Sequence, residues 1–296
     1  MQSENKTAVA LGLFDGVHKG HRAVIERMLL SSEGLLPAVF TFDFGKGPGR
    51  LISQSEKCRI LNEMGVKRIY SPPFDEIKDM SPYEFVENIL YKEMNAKSLF
   101  CGENFSFGKG GKASATDLSE IAEKFGIKTE IIPLAFENGE EISSTRIKAL
   151  LEDGDVKGAN KLLGREYSFT LKIEKGKQLG RTLGIPTINQ HIPDDFCEMK
   201  KGVYAVSCKI EGEEVKGVAN IGVRPTVCDS DKKFCETYLF DFDKNVYGEE
   251  VTSSLVEFIR PERKFENINE LKKQIEADMQ SALKIFKSTE RNEANE

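Results

Sequence analysis

The sequence predicts an α/β protein with two domains, the first a parallel sheet wound with helices on both faces and the second a small antiparallel β-barrel with a closing helix. Two observations predict this class. As far as about residue 165, short apolar runs alternate with amphipathic helical stretches, the pattern of a parallel sheet. Beyond about Tyr167 strands and hairpins dominate before one final amphipathic helix. We therefore expect domains at residues 1–165 and 166–288 and a disordered tail at residues 289–296.

The composition narrows the class of partner. Lys and Arg number 42 against 48 Asp and Glu, a formal net charge of −6, which argues against broad nucleic-acid binding and favours small anions. The six cysteines include no CxxC pair, the N-terminus lacks the features of a secretory signal, and no apolar run approaches membrane-spanning length. We expect reduced thiols, a cytoplasmic location and no membrane partner.

The elements of the first domain follow from hydrophobic spacing and capping signals. Ser81, Pro82 and Glu84 form a capping box with proline at the first helical position, and Gly126 ends a later helix. Apolar runs predict strands at Ala8–Leu13, Leu35–Phe44, Ile69–Tyr70, Leu99–Gly102 and Thr129–Leu134. Helical spacing predicts helices at Arg22–Leu30, Ser53–Met64, Ser81 to about Met94, and Ala115–Phe125.

In the second half, the hydrophobic pattern changes from alternating strands and helices to mainly strands. A short helix, Asp155–Leu163, ends at Gly164, and alternation over Val203–Ile210 with a return at Val215–Ile221 predicts a hairpin. Further strands are predicted at Glu236–Asp241 and Val251–Ile259, and a helix from about Ile268 carries one apolar stripe: Leu271, Ile275, Met279, Leu283 and Phe286.

The stretch Gly12–His21, GLFDGVHKGH, has the features of a phosphate site. It joins a strand to a helix, its glycines allow a ligand close to the backbone, and the helix N-terminus attracts anions. His18 and His21 are three residues apart and face the same side. Zinc is the alternative ligand, but it needs three or four ligands, the only other histidine is His191, and no cysteine is near.

Two further stretches end equivalent strands. Ile142–Lys148 places three hydroxyls at the start of a helix, and an N-cap explains only one of them; with Arg146 they are suited to hold the β- and γ-phosphates of ATP. Gly102–Gly108 is aromatic, and packing of these aromatics around a turn is the alternative to ligand binding. That alternative leaves Asn104 without a role.

In the second domain, the chemistry is concentrated in Gly176–Asn189. Its three glycines with Lys177 and Arg181 suit a nucleotide phosphate, although such runs also serve as flexible loops. Pro186 fixes the backbone, and Thr187 and Asn189, two apart in an extended segment, point the same way with oxygens suited to magnesium. The alternative is the polar face of an edge strand.

These motifs resemble those of a known family. GLFDGVHKGH is similar to the GxFDGxHxGH motif of the nucleotidylyltransferase superfamily, and with GENFSFG and SSTRIK it resembles the adenylyltransferase module of the bacterial bifunctional riboflavin kinase/FMN adenylyltransferase (FAD synthetase) family. From GRTLGIPTIN to IRPERKF, the second half resembles the riboflavin kinase module. The resemblance implies a Rossmann-like nucleotidylyltransferase domain followed by a riboflavin kinase barrel.

The resemblance also implies roles for individual residues. In the first module, His18 and His21 would contact the α-phosphate of ATP and Asn104 would place FMN, while the remaining ATP contacts would be Gly12, Phe14, Asp15, Gly16, Ser143, Ser144, Thr145 and Arg146. In the second, Glu236 would be the base for the 5′-hydroxyl of riboflavin, and Thr187 and Asn189 would bind Mg²⁺. The other kinase nucleotide or flavin contacts would be Gly176, Lys177, Gly180, Arg181, Gly184, Pro186 and Arg260.

The implied reactions convert riboflavin and ATP to FMN, and FMN and a second ATP to FAD and pyrophosphate. The chain departs from the family pattern at Phe44, where proline is usual, at Glu141, where a basic residue is common, and at Lys148, where arginine is usual. A carboxylate repels a triphosphate, so we expect weak adenylylation. Three alternatives stay open: a riboflavin kinase with an inactive first domain, a flavin-binding protein without turnover, and a cytidylyltransferase acting on a sugar or polyol phosphate.

Overall fold

The computed structural model describes residues 5–42, 49–175, 184–224 and 232–293. The chain forms two compact units, Met1–Gly47 with Ile52–Ser144, and Pro48–Leu51 with Thr145–Glu296. The division lies earlier than the expected boundary at residue 165. The physical reason is that the helix containing Asn160 packs on the barrel, where the Asn160 amide donates to the Leu255 carbonyl (2.9 Å) and accepts from the Tyr167 N–H (2.7 Å).

The first unit is built on a five-stranded parallel sheet in the order β3-β2-β1-β4-β7, as the alternating pattern predicts. All five residues of β1 are buried, because helices cover both faces of a parallel sheet. The strands are β1 (Thr7–Leu11), β2 (Leu36–Phe40), β3 (Arg68–Tyr70), β4 (Ala96–Gly102) and β7 (Lys128–Ile132). Two small hairpins accompany the sheet: β5 (Ser106–Phe107) with β6 (Ala113–Ser114), and β8 (Phe136–Glu137) with β9 (Glu140–Glu141).

One helix of this unit begins at the capping box that the sequence predicts, and another has a serine cap at the predicted helix start. The Ser53 hydroxyl accepts from the Glu56 N–H, and the capping box of Ser81 with Glu84 is present. The third predicted helix differs in form, since it continues as a π-helix over Phe85–Glu93. The helices are α1 (Lys19–Leu30), α2 (Gln54–Glu63), α3 (Phe74–Ile77), α4 (Pro82–Glu84) and α5 (Ala115–Glu123).

The second unit is a closed barrel in the order β10-β11-β14-β13-β12-β15, which confirms the predicted class. The predicted hairpin is β12 with β13, and Glu211 and Gly212 form its turn with φ of 48° and 88°. The strands are β10 (Tyr167–Glu174), β11 (Thr187–Ile192), β12 (Gly202–Ile210), β13 (Glu213–Arg224), β14 (Lys232–Leu239) and β15 (Glu250–Pro261). Two helices precede them, α6 (Ser144–Asp153) and α7 (Val156–Leu163).

The closing helix is α8 (Ile268–Glu293). Phe286 of the predicted stripe packs against Val203, Ala205 and Val218 of the barrel, together with Ala282, which the predicted stripe did not include. The disorder expected from residue 289 is wrong as far as Glu293. Helix continuation there is favoured by an ion pair between Glu290 and Lys216 of β13, which the sequence could not reveal because the partners are far apart in the chain.

Candidate active sites

The first candidate site begins where β1 ends. Gly12 N–H donates to the Phe40 carbonyl (3.2 Å), and the chain then turns through Phe14, Gly16 and Val17, all with positive φ (53°, 81° and 40°). Gly16 suits this conformation, whereas Phe14 and Val17 adopt it at a cost in free energy. Because these backbone conformations reduce stability, the shape of this turn points to a functional role.

The two histidines of this turn are in contact. His18 is the N-cap of α1, and its Nδ1 accepts from the His21 N–H (3.3 Å). The imidazole rings stack with their centroids 3.6 Å apart, and the Phe14 ring meets His21 edge-on at 5.3 Å. Burial, and then the charges of His18 and Lys57, lower the pKa of His21 well below its ordinary value of 6.5. His21 is therefore neutral at pH 7.

A buried lysine supports the same turn and was missed by sequence reasoning. Lys57 of α2 is 5% exposed, and its ammonium donates to the carbonyl of Leu13 (3.0 Å), the hydroxyl of Thr41 (3.3 Å) and the carbonyl of Phe42 (3.4 Å). A signal existed, because Lys57 lies three and four residues before Ile60 and Leu61 on the apolar face of its helix.

A cavity of about 350 Å³ opens at this end of the sheet. Its wall includes both histidines, Gly12, Phe14, Asn104, Glu141, Ser143 and Ser144. The Asn104 amide donates to the Glu141 carboxylate (3.3 Å), and the Ser144 hydroxyl donates to the Asp15 carbonyl (2.8 Å). Glu141, where the family pattern has a basic residue, thus faces the cavity and fixes Asn104. Thr145 and Arg146 follow on the first turn of α6 and belong to the second unit.

The cavity also has an apolar wall suited to an aromatic ring. Leu13, Phe42 and Phe105 line it, and the Phe105 ring stacks with that of Phe107 at a centroid distance of 5.8 Å. Leu13 has an apolar side chain, yet it is 37% exposed to solvent beside the turn that carries the histidines. One cavity therefore joins the turn that carries the histidines to an apolar surface.

The second candidate site lies on one face of the barrel. Asn189 of β11, Glu236 of β14 and Asn220 of β13 are directly paired across three adjacent strands. Thr187 and Tyr238 pair one step along the same face, because side chains two residues apart share a face of a sheet. The Asn189 Nδ2 donates to the Thr187 carbonyl (3.3 Å), which orients that amide. The predicted two-residue spacing thus places Thr187 and Asn189 on one face, and strand pairing brings Glu236 beside Asn189.

Two cavities adjoin this face. One of about 660 Å³ lies between the face and α8, with Thr187, Glu236 and Tyr238 on one side and Leu271 and Ile275 on the other. One of about 130 Å³ is lined by Pro186, Thr187 and a loop that runs through residues 242–247. Thr187 lines both, so the two cavities approach each other at this residue.

The structure describes some of the remaining predicted kinase residues, and others lie outside the described ranges. Arg260 lines the larger cavity, but its guanidinium forms a bidentate pair with Asp278 of α8 (2.8 and 2.7 Å), so a ligand contact would compete with that carboxylate. Gln274 also donates to Asp278 (2.8 Å), which is 3% exposed. Gly184 adopts a φ of 76°. Gly176, Lys177, Gly180 and Arg181 lie outside the described residues.

Comparison with known proteins identifies both units. The family model for FAD synthetase matches residues 1–146, and that for Riboflavin kinase matches residues 163–286. The bifunctional riboflavin kinase/FMN adenylyltransferase of Listeria monocytogenes is 34% identical over 294 residues, covering 95% of this chain and 93% of the relative. The chain belongs to the riboflavin kinase/FMN adenylyltransferase family. The Bacillus subtilis member is 34% identical over 96% of this chain and 94% of its own length.

A solved structure shares the fold of this riboflavin kinase/FMN adenylyltransferase chain. The crystal structure described as a macrolide-efflux protein from Streptococcus pneumoniae superposes with a TM-score of 0.84 at 30% identity, covering 93% of each chain. That description names an activity different from that of the relatives, and likeness of fold does not transfer an activity. Within the described parts of this chain, no helix is both long and apolar enough to cross a membrane.

Proposed function

We propose that the barrel site phosphorylates riboflavin to FMN and that the His18–His21 site adenylylates FMN to FAD. The observation that carries the proposal is that each family module contains a cavity whose wall holds the motif residues of that module. The chain has both a kinase module and an adenylyltransferase module, and its substrates are accordingly riboflavin, FMN and ATP.

In the kinase reaction, the 5′-hydroxyl of riboflavin must lose its proton as it attacks the γ-phosphorus of ATP. We assign that proton to Glu236, and general-base help of this kind contributes roughly 10²–10⁴ in rate. The flavin ring occupies the larger cavity, where Tyr238, Leu271 and Ile275 offer apolar contacts, and the nucleoside of ATP occupies the smaller one. The reacting phosphate then lies near Thr187, which both cavities share.

The barrel face fits a magnesium ion bound with ATP. The proposed ligands are Thr187 and Asn189, whose hydroxyl and amide oxygens are of the hard kind that Mg²⁺ prefers, and Glu236, the proposed base, is paired directly with Asn189 on the neighbouring strand. When bound, Mg²⁺ neutralises phosphate charge and orients the transferred group. Among the residues that the structure describes, no cluster of three or more His, Cys, Asp and Glu side chains is placed to hold a metal.

In the adenylyl transfer, the nucleophile is the FMN phosphate, which is already ionised near neutral pH. No strong base is needed, and we assign the histidines to the α-phosphate, where charge develops. A neutral His21 donates an N–H, and the approach of the triphosphate raises its pKa. The turn after β1 and the N-terminus of α1 add backbone donors, while Phe42 and Phe105 flank the flavin ring and the Glu141-bound Asn104 orients it.

A riboflavin kinase with a weak or inactive first module is the second candidate. Glu141 favours it, because this carboxylate lines the same cavity as the histidines and opposes a triphosphate there. We also retain a cytoplasmic location as a proposal, supported by the five cysteines that the structure describes, none of which forms a disulfide bond.

The test is to incubate the full chain with riboflavin and ATP-Mg²⁺ and to follow the flavins by chromatography. The proposal predicts that FMN appears first and FAD second, with release of ADP and pyrophosphate. FMN without FAD would establish the kinase-only alternative. Flavin binding without ATP consumption, or incorporation of CTP in preference to ATP, would contradict the proposal.

A further inference from the structure

Lys57 is a charged group with no role in the mechanism so far. Its side chain is 5% exposed, beneath the turn that holds the histidines. Burying an ammonium is costly unless acceptors replace its water. Here two carbonyls and one hydroxyl are among the acceptors of a group that has three N–H donors.

These contacts tie together two strand ends that border the phosphate site. Lys57 donates to Leu13, just beyond β1, and to Thr41 and Phe42, just beyond β2. The Thr41 hydroxyl itself donates to the same Leu13 carbonyl (2.8 Å). Because a trans peptide points its C=O and N–H in opposite directions, holding the Leu13 carbonyl against Lys57 turns the Phe14 N–H away from the buried ammonium.

We propose that Lys57 is a positioning residue for adenylyl transfer, fixing the backbone of the turn that carries the histidines and placing a positive charge behind it. The inference rests on the assignment of ATP to the His18–His21 cavity. The charge of Lys57 is also one of the causes, after burial and His18, that lower the pKa of His21. Lys57 thus acts on His21 through its charge as well as on the turn through its hydrogen bonds.

The experiment compares Lys57→Met, Lys57→Arg and Thr41→Val in the full chain. Methionine fills similar volume without charge, and arginine keeps the charge. Thr41→Val removes the hydrogen bond to Leu13 and one acceptor of the ammonium, while the ammonium and its contacts with the Leu13 and Phe42 carbonyls remain. We expect Lys57→Met to lower kcat/KM for ATP in FAD formation by about 10- to 100-fold, the range for losing a charged hydrogen bond. Riboflavin phosphorylation stays unchanged, Lys57→Arg recovers part of the loss, and Thr41→Val loses less than Lys57→Met.

The second readout is the pKa of His21, followed by NMR titration of the imidazole. Removal of the Lys57 charge raises that pKa, whereas Lys57→Arg keeps it low. An unmoved His21 pKa in Lys57→Met, or equal losses in Lys57→Met and Thr41→Val, would reduce Lys57 to a structural role and overturn the proposal. His21→Ala, assayed in parallel, distinguishes failure of the Lys57 proposal from failure of the site assignment on which it rests. FAD synthesis that survives His21→Ala refutes the assignment of the site itself.

Discussion

Replacing Asp278 by alanine tests whether its pairing with Arg260 holds the closing helix on the barrel. The carboxylate is 3% exposed, and it accepts two hydrogen bonds from Arg260 and one from Gln274. The Arg260 side chain is only 19% exposed, so Asp278→Ala leaves a largely buried guanidinium without its partner. Loss of one member of such a pair costs about 3 kcal/mol, which lowers the unfolding midpoint of this unit by about 10 °C.

Differential scanning calorimetry with and without riboflavin measures this change, because the transition that riboflavin raises belongs to the kinase unit. The riboflavin affinity is expected to fall as well, since Asp278 and its helix line the flavin cavity. Gln274→Met, which removes one hydrogen bond and no charge, is the matched control and shifts the midpoint less. A midpoint for Asp278→Ala within about 2 °C of the parent would refute the reasoning.

Three further predictions concern the first unit. Burial lowers the pKa of His21, so below pH 6.5 the folded state binds fewer protons than the unfolded chain. The free energy of unfolding therefore falls as the pH falls from 6.5. Thermal midpoints measured across this range are expected to depend less on pH in His21→Asn. In Gly12→Ala the added Cβ meets the Phe14 ring at 3.0 Å, and kcat/KM for FAD formation falls about tenfold with kinase activity intact. Glu141→Gln removes the charge, keeps an oxygen that accepts from Asn104, and raises the same constant about tenfold; an unchanged value would show that this carboxylate does not oppose ATP.

Local pattern was sufficient to predict the parts of each site that lie close together in sequence. The three-residue spacing of His18 and His21 placed both rings on one turn, where they stack. The two-residue spacing of Thr187 and Asn189 placed them on one strand face. In both cases a regular element carries the periodicity, so the sequence spacing determines the relative placement.

The remaining features depend on contacts between residues far apart in the chain. Arg260 was predicted to contact a ligand, yet its guanidinium pairs with Asp278, and no local signal identifies that partner. Glu141 was read as a departure from a motif, whereas its contact with Asn104 required the fold. Lys57 could have been noticed, because a charged residue on the apolar face of a helix has to find acceptors in the interior.

Product analysis of two single variants tests the central claim that the sites are separate and assigned correctly. Full chain carrying His21→Ala, supplied with riboflavin and ATP-Mg²⁺, is expected to accumulate FMN without FAD. Full chain carrying Glu236→Ala is expected to form no FMN from riboflavin, yet to convert supplied FMN to FAD at the parental rate. Equal loss of both activities in either variant would contradict the account.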